Sequence, residues 1–317
     1  MEGYRWPSND RRFYSSLKTV WNRTMTEKRR LPEWLRVPYR GAETRDDVRR
    51  LLRGLNLHTV CENARCPNHC ECWAHGTATF LILGNVCTRG CRFCAVTAGR
   101  PAPPDPDEPR RLAEAAAGLG LRYVVITSVT RDDLPDGGAA HFAATIRAVR
   151  ERLPGAGVEV LTPDFGGHEA ELATVLAARP DVFNHNLETC RRLTPAIRAG
   201  ATYDRSLAVL HAVHRQAAPA AAAIRVKSGF MLGMGETAGE IRDMMNDLRL
   251  AGTELLVIGQ YLPPSRTHWP LDRYVPPAEF AEWERVARHE FGFSAVVARP
   301  LARSSYLAEQ LAHPPTE

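Results

Sequence analysis

The stretch TFLILGNVCTRGCRFCAV, residues 79–96, joins a predicted strand to a candidate metal centre. Its first part is an unbroken apolar run, which is typical of a strand buried on both faces of a parallel sheet. Its second part carries Cys87, Cys91 and Cys94 with the spacing C-x3-C-x2-C. Three thiolates can bind three irons of a four-iron cluster, and since such clusters usually have four cysteine ligands, the fourth iron is open to another ligand. A zinc knuckle is the alternative, but zinc sites favour paired C-x2-C units and four protein ligands.

A second group of cysteines lies just upstream, in HTVCENARCPNHCECW, residues 58–73. Cys61, Cys66 and Cys72 have the spacing C-x4-C-x5-C, and Cys70 adds a further thiol to the same segment. The first forty residues contain no apolar run long enough for a signal peptide or a membrane span. Clustered cysteines in such a chain indicate metal binding rather than disulfides. We therefore expect two metal centres in a cytoplasmic protein.

Apolar runs and helical patterns alternate along the chain. The runs predict buried parallel strands at about 79–84, 122–129, 157–161, 181–185, 223–231 and 254–260. Helices are predicted at 108–119, 139–153, 168–178, 205–217 and 237–250. Repeated βα units with right-handed crossovers make an α/β fold, and six units rather than eight predict a partial (βα)6 TIM-like barrel. N- and C-terminal extensions flank it, the latter with a helix in PPAEFAEWERVARHEFG and a short strand in SAVVARP, and the expected boundaries are 1–75, 76–265 and 266–317.

Polar residues follow two of the predicted strands at their carboxyl ends, where barrel folds place their chemistry. Thr127 and Ser128 close the second strand, and Asn186 and Glu188 follow the fourth. Each is either a ligand contact or a polar residue satisfied at a strand end. The loop RDDLPDGG, residues 131–138, suits either acid–base catalysis or a turn with a helix cap, and its Asp-Gly pair favours the turn.

Composition narrows the class of protein further. A chain of 317 residues with 44% hydrophobic content can bury a substantial core. The net charge of +5 is modest and spread along the chain, which favours steering toward an acidic partner over nucleic-acid binding. We expect neither a nucleic acid nor a membrane as partner. His185 is expected to be a core histidine.

The loop of Cys87, Cys91 and Cys94, with aromatic Phe93 before its last cysteine, resembles the radical S-adenosylmethionine (SAM) superfamily. The resemblance implies a 4Fe-4S cluster whose open iron binds SAM. It also implies that the reduced cluster cleaves SAM to a 5′-deoxyadenosyl radical.

Further motifs resemble the lipoyl synthase family, from about residue 34 to residue 306. The C-x4-C-x5-C spacing matches the auxiliary-cluster motif of that family, which usually has glycine where this chain has Cys70. Either Cys70 or Cys72 can supply the third thiolate, and Cys72 preserves the family spacing. The other matching segments are WLR (34–36), TSVTRDDLPDGG (127–138), VEVLTPDFGG (158–167), FNHNLET (183–189), YDRSL (203–207), KSGFMLGMGET (227–237), IGQYLPPS (258–265) and RSSY (303–306).

This second resemblance implies an auxiliary 4Fe-4S cluster held by Cys61, Cys66 and Cys72, with Ser305 of RSSY as its fourth ligand. Judged by its sequence context alone, Ser305 would instead be a helix N-cap. A hard serine oxygen on a cluster otherwise held by soft thiolates is expected to be a labile ligand.

The resemblance also implies a set of contacts to SAM. Thr127, Ser128 and Asn186 would offer hydrogen bonds to it, and Glu188 would accept from its ribose hydroxyls. Arg205 would pair with its carboxylate, because the planar guanidinium suits bidentate contact.

The implied reaction inserts two sulfur atoms at C6 and C8 of an octanoyl chain on a carrier-protein lysine, with the auxiliary cluster as sulfur donor. Such unactivated C–H bonds require a cofactor-derived radical. The implied partners are an octanoylated lipoyl carrier protein or lipoyl domain, an electron donor such as ferredoxin or flavodoxin, and a cluster-carrier protein. Two other interpretations stay open at this point: a radical SAM sulfur-inserting enzyme acting on a free small molecule, and a zinc- or cluster-stabilised binding module. The basic N-terminal arm is the expected surface for the carrier protein, through Arg11, Arg12, Lys28, Arg29 and Arg30.

Overall fold

The chain forms two compact units, Met1–Arg36 and Val37–Glu317. The computed structural model describes residues 31–36, 50–60, 68, 71–72, 77–217 and 224–313. The described part of the first unit contains one 3-10 helix, Glu33–Leu35. Every other element named below belongs to the second unit.

Ten strands are found in the described residues, and eight of them form one sheet. They are β1 (His58–Thr59), β2 (Thr77–Ile82), β3 (Val86–Cys87), β4 (Thr97–Ala98), β5 (Tyr123–Ser128), β6 (Gly157–Leu161), β7 (Val182–Asn184), β8 (Arg225–Leu232), β9 (Leu255–Gln260) and β10 (Ala295–Arg299). The sheet order is β1-β2-β5-β6-β7-β8-β9-β10, while β3 and β4 pair with each other. β1 runs antiparallel along β2, and all other pairings in the sheet are parallel.

This topology confirms the predicted partial barrel. All six predicted parallel strands are present, in sequence order, as β2 and β5 to β9. The sheet remains open between β1 and β10. The short strand predicted in the C-terminal extension is also present as β10, and it joins β9 as a further parallel strand.

Helices follow the strands as predicted. They are α1 (Glu108–Gly118), α2 (Ala139–Arg152), α3 (Glu169–Ala177), α4 (Thr194–Ile197), α5 (Tyr203–Ala217), α6 (Ala238–Leu250), α7 (Pro277–His289) and α8 (Ala308–Ala312). Sequence signals explain where several begin: α1 and α7 have proline in their first turn, and α6 begins with a capping box in which Thr237 and Glu240 satisfy each other's backbone N–H. Among the described helices, none is long and apolar enough to span a membrane.

The two faces of the sheet pack against different partners because side chains alternate along each strand. Phe80 and Ile82 of β2 belong to the large apolar cluster that includes the surrounding helices. Tyr123 of β5 and Leu255 of β9 belong instead, with Leu311 of α8, to a second apolar cluster on the inner face of the sheet. The chain after β10 therefore enters the barrel interior.

The backbone of the C-terminal segment passes very close to the backbone of β9. If Gly259 of β9 carried a Cβ atom, that atom would lie 2.3 Å from the carbonyl oxygen of Ala302. Only glycine allows a contact of this kind without displacing the backbone. The IGQ sequence of β9 is therefore what allows the C-terminal segment to cross the inside of the barrel.

The interior also contains a buried ion pair. Lys227 Nζ of β8 donates to both carboxylate oxygens of Glu159 of β6 at 2.8 and 3.0 Å, and the two side chains are 0% and 1% exposed. Tyr123 OH and Asn184 Nδ2 also donate to Glu159. The carboxylate is fully hydrogen-bonded, as a buried charge must be.

Candidate functional site

The loop with the three cysteines lies directly after β2, at the carboxyl end of the barrel strands. Cys87 ends β3, and its Sγ accepts hydrogen bonds from the backbone N–H groups of Arg89 at 3.4 Å and Thr130 at 3.3 Å. The carbonyl of Cys94 is bonded to His268 Nε2 at 3.0 Å. None of the described cysteines forms a disulfide. The loop is thus held by the βα loop after β5 and by the chain after β9.

Burial makes two of these thiols, Cys91 and Cys94, costly to ionise. Burial, with a smaller contribution from the neighbouring Cys91 and Cys87, raises the pKa of Cys94 to about 11. Burial also raises the pKa of Cys91. A bound metal cluster reverses this preference, because thiolates rather than thiols are its ligands. Among the described residues, no group of three or more His, Cys, Asp or Glu side chains is arranged to hold a single metal ion. The ligands of an iron–sulfur cluster bind different irons, so they stand further apart than the ligands of a single ion.

An ion-pair network attaches the loop to the barrel. Arg89 donates to both oxygens of Asp164 at 3.0 and 2.8 Å and to both oxygens of Asp132 at 2.8 and 2.7 Å. Burial alone would raise the pKa of the Asp164 carboxyl, but Arg89 and the other cations around it outweigh burial and lower this pKa well below its usual range. Arg205 Nε also donates to Asp164, at 2.7 Å. Arg205, predicted to bind the carboxylate of SAM, thus already binds a carboxylate of its own chain.

Two of the predicted SAM contacts present unpartnered polar atoms. Ser128 Oγ and Asn186 Oδ1 are buried and have no hydrogen-bond partner in the described structure. Thr127 differs, because its hydroxyl donates to the carbonyl of Leu161 at 2.8 Å. For Thr127 the structure matches the alternative of a polar residue satisfied at a strand end.

Glu188 lies beyond the end of β7 with a φ of 68°, in the left-handed region that is uncommon for residues other than glycine. Two backbone hydrogen bonds to β8, with Gly229 and Met231, hold this conformation. Burial raises the pKa of its carboxyl, against the opposing charge of Arg198. A carboxylate held in this way is positioned to accept hydrogen bonds from a ligand.

The other polar features near these strand ends have structural roles. Asp136 accepts from the backbone N–H groups of Gly138 and Ala140, both at 2.9 Å, at the start of α2. The turn-and-cap interpretation of RDDLPDGG is therefore confirmed for Asp136. His185 is buried between the carbonyl of Thr162 and the hydroxyl of Ser206, so it is a core histidine as predicted.

The predicted auxiliary centre is described only in part. Cys61, Cys66 and Cys70 lie outside the described residues, as does the basic N-terminal arm. Cys72 lines a small pocket together with Thr77, Tyr306, Leu307 and three other residues. The thiol therefore lies beside the RSSY segment.

Further contacts connect the two segments. Asn68 Nδ2 donates to the carbonyl of Leu301 at 2.6 Å, and Tyr306 OH donates to Glu71 at 3.2 Å. Ser305 Oγ accepts a hydrogen bond from Thr79 Oγ1 at 2.7 Å. The N-cap position of α8 is Leu307, so the N-cap interpretation of Ser305 is wrong.

Several residues of this region were not predicted from the sequence to take part in the site. Asp164 and Thr79 were part of quoted motifs or strands, but their partners lie far away in sequence. The pairing of Lys227 with Glu159 could have been predicted from the sequence, because a charged residue within a buried strand must be paired.

The donor set fits the two groups that the sequence implied. Three reduced thiols on one loop, one of them receiving two N–H···S hydrogen bonds, suit an iron–sulfur cluster. The unpartnered Ser128 hydroxyl and Asn186 carbonyl oxygen suit a polar cofactor beside it.

Comparison with known proteins agrees with this site. The chain matches the family model of the radical SAM superfamily over residues 81–248. Its fold resembles the crystal structures of HydG, a maturase of the [FeFe]-hydrogenase (TM-score 0.56, 14% identity, 96% of this chain and 70% of that chain), and of methylornithine synthase PylB (0.52, 14%, 80% and 81%). Fold, cysteine loop and family model together define a radical SAM enzyme.

The more specific family follows from the rest of the chain. Residues 6–66 match the model of the N-terminal domain of lipoyl synthase. The lipoyl synthase of Methylococcus capsulatus is 57% identical over 284 residues, which is 89% of this chain and 87% of that protein. The lipoyl synthase of Thermus thermophilus is 53% identical over 286 residues, which is 89% of this chain and 87% of that protein. The chain belongs to the lipoyl synthase family.

Proposed function

We propose that this chain inserts two sulfur atoms, at C6 and C8, into an octanoyl chain carried on a lysine of a lipoyl carrier protein or lipoyl domain. The observation that carries the proposal is the hydrogen bond of 2.5 Å between Asn186 Nδ2 and Ser304 Oγ. It joins a candidate SAM contact to the residue next to Ser305. A carbon radical formed at one centre would then have a sulfur donor within the same barrel, which is what efficient transfer requires.

In this proposal Cys87, Cys91 and Cys94 bind the first 4Fe-4S cluster, whose open iron binds SAM. Together the bound groups supply the one-electron chemistry that removes hydrogen from unactivated carbons. The backbone N–H groups at the Cys87 sulfur stabilise its thiolate charge.

Candidate SAM contacts divide into two groups by their present partners. Ser128 and Asn186 have unpartnered atoms to offer, and Glu188 is held ready to accept from ribose hydroxyls. Thr127 and Arg205 would first have to exchange the partners they already have. We therefore assign the direct contacts with SAM to Ser128, Asn186 and Glu188. Arg205 is assigned a role in which it keeps its bond to Asp164.

The auxiliary cluster is assigned to Cys61, Cys66, Cys72 and Ser305, with Cys70 as a spectator. The position of Cys72 beside Tyr306 and Leu307 supports this choice. The boundaries proposed for the three parts of the chain remain 1–75, 76–265 and 266–317. We place the enzyme in the cytoplasm, with a ferredoxin or flavodoxin as electron donor and a cluster-carrier protein that rebuilds the auxiliary cluster.

The test uses anaerobically reconstituted protein, SAM, a strong chemical reductant and an octanoyl-lysine peptide, with products followed by mass spectrometry. The expected products are 5′-deoxyadenosine and a peptide that has gained two sulfur atoms. Cys70→Ala should give both products, whereas Cys72→Ala should give 5′-deoxyadenosine without sulfur on the peptide. The opposite behaviour of these two variants would reassign the third thiolate. Native protein that forms 5′-deoxyadenosine but never modifies the peptide would contradict the substrate.

A further inference from the structure

Thr79 faces the barrel interior from the middle of β2, where it is 4% exposed. Its hydroxyl donates a hydrogen bond of 2.7 Å to Ser305 Oγ, a residue 226 positions later in the chain. Phe80, its neighbour on the same strand, packs on the opposite face among the helices. The contact therefore joins a rigid barrel strand to the C-terminal segment inside the barrel.

The neighbours of Ser305 are held as well. Ser304 Oγ accepts from Asn186 Nδ2, beyond the end of β7, and Tyr306 OH donates to Glu71. Three consecutive side chains of the C-terminal segment are thus bonded to three separate parts of the second unit. Thr79 is the partner that contacts the Ser305 oxygen itself.

We propose that Thr79 is a positioning residue for Ser305 and controls how readily iron leaves that corner of the auxiliary cluster. The inference rests on the proposed function, in which Ser305 is an iron ligand. A serine oxygen bound to iron is electron-rich, and a hydrogen bond to such an oxygen is stronger than one between neutral groups. The Thr79 hydroxyl also fixes the direction of the Ser305 side chain, because Ser305 is not fixed by capping α8.

The experiment measures iron release rather than turnover. Anaerobically reconstituted holoenzyme, saturated with SAM to occupy the open iron of the first cluster, is mixed with a ferrous chelator whose complex absorbs visible light. Electron paramagnetic resonance of the same samples after mild oxidation reports the fraction of three-iron clusters. Thr79→Val keeps the shape of the side chain but removes the donor, while Thr79→Ser keeps the donor.

We expect Thr79→Val to release iron faster by about tenfold or more, since a hydrogen bond to a charged group contributes roughly 1.5–3 kcal/mol. Thr79→Ser should release iron at the native rate. Thr253→Val is the matched control, because Thr253 is another buried threonine and its hydroxyl has no hydrogen-bond partner in the described structure. It should also behave as the native protein does.

Ser305→Ala separates this inference from the proposed function. If Ser305→Ala accelerates iron release but Thr79→Val does not, Ser305 is a ligand and the positioning role of Thr79 is wrong. Equal acceleration by Thr79→Val and Thr253→Val would also overturn it, because the effect would then be a general one of packing. If Ser305→Ala itself releases iron at the native rate, the ligand assignment in the proposed function fails.

Discussion

Arg89, which lies between Cys87 and Cys91 in the cysteine loop, donates two hydrogen bonds to the buried carboxylate of Asp164. The same carboxylate accepts from Arg205 at the start of α5. The shape of the cysteine loop therefore depends on a charge supplied by the βα unit of β6, far from the loop in sequence.

Asp164→Asn should destabilise the protein and lower the iron content of the cysteine loop. The change removes the charge that two arginines share and leaves Arg89 with Asp132 alone. Loss of one partner of a buried pair costs roughly 3–5 kcal/mol, and we expect the lower end because Asp132 remains. Urea unfolding followed by circular dichroism, with iron per chain, measures both effects. Asp107→Asn weakens the solvent-exposed ion pairs of Asp107 with Arg110 and Arg111, and it should cost far less stability than Asp164→Asn because solvent screens such pairs. Similar losses in the two variants would contradict the account.

Lys227→Met should be more harmful alone than in combination with Glu159→Gln. The single change leaves Glu159 charged and buried without its cation, at a cost of roughly 3–5 kcal/mol. Glutamine removes that charge while keeping oxygen and nitrogen atoms for Tyr123 and Asn184. We expect the double variant to be more stable than Lys227→Met by about 2 kcal/mol in urea unfolding. Strictly additive losses would show that the pair is not coupled.

His185 should make the protein less stable as the pH falls below neutrality. Burial lowers the pKa of His185 to about 4, from a usual value of 6.5. Between pH 6.5 and pH 4, His185 is protonated in the unfolded chain but neutral in the native protein. The free energy of unfolding therefore falls as the pH falls. From pH 7 to pH 5 this contribution is about 2 kcal/mol, and it stops growing below about pH 4. Urea unfolding of the native protein and of His185→Gln at both pH values tests it. The variant should lose less stability on acidification, and equal losses would exclude His185 as the cause.

Gly259→Ala should displace the C-terminal segment from the barrel. The new methyl group would lie 2.3 Å from the carbonyl oxygen of Ala302, and overpacking of this kind typically costs about 1–3 kcal/mol. Iron of the auxiliary cluster should fall more than iron of the first cluster, as read from their separate electron paramagnetic resonance signals. Gly155→Ala is the control, since nothing lies within 4 Å of its added methyl group. A Gly259→Ala protein with native stability and native iron would mean that the segment takes another path.

Most of the fold could be predicted from local sequence. The run at 79–84 corresponds to β2, Thr77–Ile82, and the helix predicted at 139–153 corresponds to α2, Ala139–Arg152. Long apolar runs and helical periodicity report burial directly, so their positions are recovered within a few residues. Strands β3 and β4 were not predicted, because each has only two residues and so no periodicity to detect.

The candidate site was predictable where spacing alone carries the chemistry, as in the loop of Cys87, Cys91 and Cys94. Contacts between distant parts of the chain left no such signal. Arg205 illustrates the limit: its residue type suits a ligand carboxylate, but only the folded chain brings Asp164 to it. The bond from Thr79 to Ser305 likewise depends on the path of the C-terminal segment through the barrel.

Labelled sulfur tests directly whether the auxiliary cluster is the sulfur donor. The protein is reconstituted with iron and with sulfide of a heavy sulfur isotope, freed of excess sulfide, and incubated anaerobically with SAM, reductant and an octanoyl-lysine peptide. We predict a peptide that gains two heavy sulfur atoms, with no more than one product formed per chain when no cluster-carrier protein is present. A product containing sulfur of natural mass, or repeated turnover without loss of the auxiliary cluster, would contradict the assignment of that cluster as the sulfur donor.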